Sequence, residues 1–559
     1  MYIKKIVIEN FKCFQGKFEL DLNEGLNILV GDNESGKSTI LEAINLALSG
    51  WLNGKYLRTE LNESIFNIEV VKEYLEKINT GVIDIPLPSI NIDLYCDFGD
   101  EVFNELFRGN KNSKKDKQAS GIRFSIFFDE NKSNEYIKEV VVSKEKLLSL
   151  PIEFCDFSWE AFSRKPKIPK TIPLKSSMID SSNARYQNGS DVNATRIIHD
   201  RLSSDEETKI SQAHRKLKDL FSQDPSIEQI NKALTGHNIS EKILSLQIET
   251  STKSSWEASL VPYLDDIPFQ YAGKGEQCLV KTKLSLQHRK VTESNVILIE
   301  EPENHLSHSK LNHLIDYIKT NNRDKQIIIS THSSFVANKL GLRNLILLNV
   351  DEKSKLRKEF RTTSLNKDTQ KYFEKLPGYD TLRLILCRKA ILVEGDSDEL
   401  IVQKAFLNEK KNLPLADGVD VISVRSLAFK RFLDIAKELV QPTVVVTDND
   451  GKTKSEMDEN YKEYKDKPNI KVCYDEFVDT GTLELNGKPF NYNTLEPKFF
   501  KANNLNILNK IFNQKFQEEN EMHKYMETHK TDCALMIFDT NEIIKFPQYI
   551  LDAINWEYE

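Results

Sequence analysis

The sequence predicts an α/β protein of two modules, and three observations carry that expectation. Residues Gly31 to Ser38 read GDNESGKS, a GxxxxGK[ST] loop set between an apolar strand and a helix. Val296-Ile297-Leu298-Ile299 is a second strand of buried type, and it ends in the acids Glu300 and Glu301. Beyond a charged stretch, Asp351 to Lys371, a new series of strands and helices places Glu394 after Ile391 to Val393 and places Asp448 and Asp450 after Val444 to Val446. Strands alternating with helices on both sides of one charged segment point to two sheets flanked by helices.

Taken in order, Ile3 to Ile8 is strand-like, Gly25 to Val30 is an apolar strand, Gly31 to Ser38 is a loop, and Thr39 to Leu48 has helical spacing. INIDLYCDF from Ile90 and GIRFSIFF from Gly121 read as strands around a lysine-rich loop, Lys111 to Lys117, expected to be a solvated hairpin tip. Arg164 to Lys175 puts five basic residues and three prolines in twelve positions, the pattern of an extended basic linker. From Asn193 to about Leu246 the spacing is helical, an insertion expected to serve as a dimerisation arm, and Leu246 to Tyr263 alternates like a strand. Further strands are expected at Gln326 to Ile329, Leu345 to Asn349, Ala390 to Val393, Val419 to Val424 and Thr443 to Thr447, with a helix over Ile543 to Trp556.

A chain of 559 residues holds roughly three to five folding units. With 39% hydrophobic and 29% charged residues, and only 21 Gly and 17 Pro, collagen-like and low-complexity classes are excluded. Apolar runs such as Leu345 to Leu348 fall far short of the roughly 20 residues a membrane span needs. The first apolar stretch is broken by Glu9 and Asn10, so it reads as a strand and not as a signal peptide; the expectation is a cytoplasmic protein with no membrane partner. Seven cysteines without a CxxC pair support neither a zinc ribbon nor a disulfide framework. A net charge of −8 argues against wholesale polyanion binding, so a nucleic-acid partner needs a local basic surface.

The GxxxxGK[ST] loop wraps backbone N–H groups around phosphates, Lys37 reaches the β and γ phosphates of ATP, and the Ser38 hydroxyl ligates Mg²⁺, with Asn33, Gly36 and Thr39 lining the same site. Glu300 would hold the metal shell and Glu301 would orient or deprotonate the attacking water. His332, in Ser330-Thr331-His332-Ser333 at the end of another strand, is placed to sense the γ phosphate, and Gly273-Lys274-Gly275-Glu276-Gln277 is a GxGxQ segment upstream of the acidic strand. In the second module, acids at the ends of two parallel strands converge on one sheet edge, where cations and phosphates meet.

The order of these motifs resembles ABC-type ATPase heads of the SMC, RecF and OLD (overcoming lysogenisation defect) kind. Glu303 to Leu306 resembles their D-loop and Gly273 to Gln277 their signature segment, which engages ATP on an opposing subunit; no Q-loop glutamine is assigned. The later motifs look like a Toprim domain, and an ABC head followed by Toprim resembles the OLD-family nucleases, including the larger subunit of the Gabija antiphage system and retron-associated members. The resemblance implies an ATPase head over 1–165 and 247–370, a helical dimerisation insertion over 166–246, and a Toprim nuclease over 371–559. It implies Glu394, Asp398, Asp448, Asp450 and Glu496 as metal ligands, with Glu394 and Lys530 catalytic and Lys524 and Lys545 as the alternatives to Lys530. The expected activity is ATP-regulated, Mg²⁺-dependent cleavage of DNA, with Mn²⁺ or Ca²⁺ as alternative ions. A homodimer or homotetramer joined through the ATPase module is expected, with a helicase-like or retron partner. The alternatives are cleavage of RNA such as tRNA, or a RecF-like DNA-binding ATPase without nuclease activity.

Overall fold

A computed structural model of the chain describes all residues except 81, 83–84, 130, 133–134, 137–145, 181–185, 188–189, 192–201, 237–245, 247–255, 257–259, 288, 323, 351–356, 362–364, 376–380, 425–428, 486 and 559. It divides into two compact units. Met1–Leu29, Asn33–Thr331 and Val350–Lys358 make the first, and Val30–Asp32, His332–Asn349 and Glu359–Glu559 make the second.

The first unit holds an antiparallel sheet in the order Lys17–Asp21, Tyr2–Glu9, Ile90–Asp97, Gly121–Phe128, Cys155–Ala161, Pro166–Lys167. GIRFSIFF alternates, so Ile122, Phe124, Ile126 and Phe128 are buried on one face. A second sheet runs parallel through Ser176–Asp180, Val296–Glu300, Gln326–Ser330 and Leu26–Gly31. Its register pairs Asp180 with Glu300 and Glu300 with Ser330, so the polar ends of three strands share one edge. The Trp159 indole N–H donates to the Ala47 carbonyl at 3.0 Å, fixing the Lys37–Ser49 helix against the antiparallel sheet.

Gln326 joins the two sheets. It is 1% exposed; its amide nitrogen donates to the carbonyls of Ile3 (2.8 Å) and Asn23 (2.7 Å), and its oxygen accepts from the Ile3 N–H (2.8 Å). One side chain thus satisfies three backbone groups where the first strand passes the base of the parallel sheet.

Several expected elements take a different form. Arg164 to Lys175 is not a simple extended linker: Pro166–Lys167 pairs with the antiparallel sheet, Pro169–Thr171 forms a short 3₁₀ turn, and Ile172 and Leu174 are buried, while Arg164, Lys165 and Lys170 stay exposed. The apolar residues between the basic ones decide the outcome. The Lys111 to Lys117 loop is exposed over Lys114 to Lys117, as expected of a solvated tip, but it turns on buried Asn112, whose amide donates to the carbonyls of Gly109 and Asp116, and the helix Glu101–Phe107 precedes it. The helical stretch appears as Ser204–Ser222 and Pro225–Gly236, the former with no buried residue, while 193–201 and 237–245 lie outside the described residues. Most of the alternation after Leu246 also lies outside them.

In the second unit a parallel sheet runs Val419–Ser423, Lys389–Val393, Thr443–Val446, Ile470–Cys473. Because Lys389–Val393 comes first in the chain yet lies inside, successive strands are added to opposite sides of it, and the order reverses between it and Thr443–Val446. One face packs on the helix Phe429–Leu439 through Phe432, Leu433 and Ala436, and the other on Asp396–Lys410 and the C-terminal helices. The helical end expected from Ile543 is confined to Gln548–Ile554, because Pro547 sets its start.

Replacing Gln326 with Leu takes the side-chain partner from the buried N–H and carbonyl of Ile3, while the Asn23 carbonyl keeps the Asn27 amide (3.0 Å). Unfolding of the full chain in urea should show a loss of roughly 3 kcal/mol, and an unchanged midpoint would mean that water or relaxation replaces the amide.

Candidate functional site

At the nucleotide loop, Gly36 caps the Lys37–Ser49 helix with φ 104°, a left-handed conformation that favours glycine. A Cβ there would stand 2.7 Å from Phe14 Cζ and 3.2 Å from Cys13 Sγ. Lys37 is buried, Asn33 is exposed, and the Thr39 hydroxyl faces the Cys13 thiol at 3.5 Å. The Ser38 hydroxyl hydrogen-bonds the Glu300 carboxylate, bringing together the two groups expected to share a metal. Burial raises the Glu300 pKa; the Ser38 bond opposes this, and Asp180, Glu42 and Glu301 add to it by charge repulsion. An all-oxygen set that resists ionisation until a cation arrives fits Mg²⁺.

Glu301 has φ 40°, its N–H donates to the Ser330 carbonyl (3.0 Å), and its carboxylate accepts from the Asn304 amide (2.9 Å). Glu303 accepts from the Thr331 hydroxyl at 2.7 Å. His332 is exposed, two residues beyond the Gln326–Ser330 strand.

Gly273 caps the helix Lys274–Leu286, with open space where its Cβ would be. Gly275 is different: a Cβ would lie 2.5 Å from the His305 carbonyl, so this glycine lets the helix settle on the loop that follows the acidic strand. Glu276 pairs with Lys310 beside it. Gln277 is buried and its amide donates to the carbonyls of Gln270 (3.1 Å) and Ala272 (2.8 Å), so it shapes its own loop.

The second unit gathers four acids at the point where strand order reverses. Glu394 directly follows Lys389–Val393, Asp398 lies in the first turn of Asp396–Lys410, Asp448 is two residues past Thr443–Val446, and Glu496 opens Leu495–Ala502. Burial, then the charges of Glu394 and Glu496, push the Asp398 pKa up to about 7. Burial, then Asp398, Glu394 and Glu496, push Asp448 well above the usual carboxylate range. Glu394 Oε1 accepts from the Thr447 hydroxyl (2.6 Å) and the Asp448 N–H (3.0 Å). Lys530 stands 3.4 Å from Glu496 and 3.2 Å from Glu527; burial alone would lower its pKa, but these two charges outweigh it and hold it above the ordinary lysine value. Lys524 and Lys545 are exposed.

Asp450 stands apart from this group. Its φ is 50°, its side chain is exposed, and it accepts from the Asn491 amide at 3.2 Å. Among the described residues no three His, Cys, Asp or Glu side chains stand in coordinating geometry. The donor chemistry itself, all carboxylate and mutually repelling, fits a hard divalent ion.

Two neighbours carried no signal in the sequence. Asn449, between the two aspartates, is 1% exposed; its amide donates to the carbonyls of Asp475 (2.6 Å) and Phe477 (3.1 Å), clamping the next loop to the acidic turn. Tyr549 is buried against the acids, and burial followed by the charge of Asp448 pushes its phenol well above 10. Both act through burial, which residue type alone does not reveal.

The model of the AAA ATPase domain family matches residues 1–337, and that of the overcoming lysogenization defect protein-like TOPRIM domain matches residues 385–450. Structural maintenance of chromosomes protein 6 of Saccharomyces cerevisiae is 38% identical over 74 residues, 12% of this chain and 7% of that one. DNA replication and repair protein RecF of Clostridium botulinum is 30% identical over 135 residues, 22% of this chain and 37% of that one. The chain thus spans well under half the length of these curated relatives. An SMC head solved with the C-winged helix domain of ScpA aligns over 64% of this chain and 97% of its own, at 15% identity and a TM-score of 0.33. Among the described residues no helix is long and apolar enough to cross a membrane. The nucleotide loop and the acidic strand lie within the first matched region, and Glu394, Asp398, Asp448 and Asp450 within the second. The chain belongs to the AAA ATPase domain family and carries an OLD-like Toprim domain behind it, the arrangement of the OLD-family ATPase–Toprim proteins.

Proposed function

We propose that the chain is an ATP-hydrolysing, divalent-metal-dependent endonuclease that cleaves DNA in antiphage defence, acting in the cytoplasm as a homodimer or homotetramer joined through its ATPase unit. The observation that carries this reading is the crowding of Glu394, Asp398, Asp448 and Glu496 at the strand-order reversal, with Lys530 against Glu496. Four acids that repel one another weaken a fold unless a cation is their purpose. Bound Mg²⁺, or Mn²⁺ or Ca²⁺ in its place, supplies an activated water and stabilises the leaving oxygen. Those four acids would hold it, with Asp450 as an outer donor, and Lys530 neutralises charge developing on the scissile phosphate.

At the nucleotide loop, Lys37 would reach the β and γ phosphates of ATP beside Asn33, Gly36, Ser38 and Thr39. Ser38 and Glu300 would hold its metal, Glu301 would orient or deprotonate the attacking water, and His332 would sense the γ phosphate. Gly273 and Gly275, at the head of their helix, face ATP held by a second copy, while Gln277 maintains the shape of that loop. A helicase-like or retron-type partner would supply the trigger.

Two variants separate the activities. Lys37→Ala should abolish phosphate release from ATP, and wild-type release would reject the nucleotide site. Asp448→Ala with Asp450→Ala should abolish Mg²⁺- or Mn²⁺-dependent cleavage of plasmid and linear DNA while phosphate release persists. Unchanged cutting by the double variant would remove the acids from the reaction, and a wild type that cuts tRNA but no DNA would replace DNA with RNA as substrate.

The acids also make a pH prediction. Asp398 binds its proton more tightly in the folded chain (about 7) than when unfolded (3.8), so its contribution to stability is present below pH 4 and is lost as pH rises through 7. In EDTA, Asp398→Asn should therefore unfold at a higher temperature than wild type at pH 8 and at a similar temperature at pH 4. The same difference at both pH values would show that Asp398 does not hold a proton in the metal-free site.

A further inference from the structure

A groove of about 950 Å³ runs along the open edge of the Toprim sheet, beside the outer strand Ile470–Cys473. Tyr461, Tyr474 and Phe477 line it, together with Lys471 and Lys501, and Asp475 and Tyr549 connect its wall to the acid cluster. Asp458, Glu476 and Asp552 also line it, so the groove is mixed in charge and rich in rings.

Phe477 stands out in this wall. The residue is 74% exposed, while its backbone is held on both sides. Its N–H donates to the Asp475 carboxylate (3.0 Å), and its carbonyl accepts from the Asn449 amide (3.1 Å) and from the buried ammonium of Lys498 (2.7 Å). Lys498 itself is anchored by Asp475 (2.9 Å) and Asp479 (2.7 Å). Asn449 sits between Asp448 and Asp450, so the turn that bears the acids also fixes the loop that displays the ring. A large apolar ring kept in water on a clamped loop forgoes burial that a mobile loop would let it find. Such a ring is matched by the flat face of a nucleobase, which gains from stacking whatever its sequence. A base paired inside a duplex has no face to offer.

We propose that Phe477 is a stacking platform for an unpaired base next to the scissile phosphate, so that the Toprim site acts on single-stranded or locally opened nucleic acid. This rests on the nuclease reading above and specifies its substrate. Lys471 and Lys501 border the path of the backbone, and Asp458, Glu476 and Asp552 in the same lining keep the groove from holding a polyanion by charge alone.

The test uses the full chain with Mn²⁺, a single-stranded oligonucleotide and the matching duplex, and compares wild type with Phe477→Ala and Phe477→Trp. Binding of the same labelled strands is measured by fluorescence anisotropy in Ca²⁺. Phe477→Ala should raise KM and Kd for the single strand by roughly 5- to 150-fold with kcat nearly unchanged, and Phe477→Trp should restore both. Cleavage and binding of the single strand that survive Phe477→Ala unchanged would overturn the stacking role while leaving the nuclease intact. An equal loss on single strand and duplex would also overturn it, since a general contact would then explain the effect. A wild type that cuts neither strand form removes the nuclease reading, and the proposal with it.

Discussion

Electrostatic repulsion among Glu394, Asp398, Asp448 and Glu496 is the constraint around which the second unit is built. Each acid stands at the end of a strand or in the first turn of a helix, so the backbone and not side-chain choice brings them together. In the metal-free chain burial and mutual repulsion raise the proton affinity of Asp398 and Asp448, while hydrogen bonds from Thr447 and the Asp448 N–H to Glu394 and the Lys530 ammonium beside Glu496 ease the repulsion. Behind them the sheet is apolar on both faces, which leaves little water to screen the charges.

The first unit solves a related problem at the end of its own parallel sheet. Asp180, Glu42, Glu300 and Glu301 lie near one another, and the Ser38 hydroxyl already rests on Glu300. The loop that carries Glu301 continues to His305, whose carbonyl lies where a side chain at position 275 would go. The GxGxQ helix and the acidic strand are therefore packed as one piece, with Glu276 and Lys310 paired at the same seam.

Much of this was legible in the residues. Uninterrupted apolar runs such as VILIE and QIIIS announce strands buried on both faces, and the acids or hydroxyls after them mark the strand ends. Gly36, Lys37 and Ser38 sit in a motif whose spacing has a mechanical reason. Glu496 and Lys530 had no such spacing and were reached only through family resemblance; the structure brings them to 3.4 Å although they are 34 positions apart. The roles of Gln277, Asn449 and Gln326 were not legible at all, because an amide reveals its work only through the carbonyls it meets. The Arg164 to Lys175 segment misled for the opposite reason: its charge pattern is conspicuous, while Ile172 and Leu174 decide its place.

The packing of Phe14 and Cys13 against Gly36 bears on how a phosphate loop is kept in shape. The second glycine of the motif is usually explained by what approaches from outside, a phosphate seeking backbone N–H groups. Here the inner side of that residue is taken by an aromatic ring and a thiol from the turn after the first strand. A methyl group at position 36 would collide with the protein's own interior before any nucleotide arrived. The absence of a side chain there is demanded first by folding, and the cradle for the nucleotide is the outer surface of that requirement.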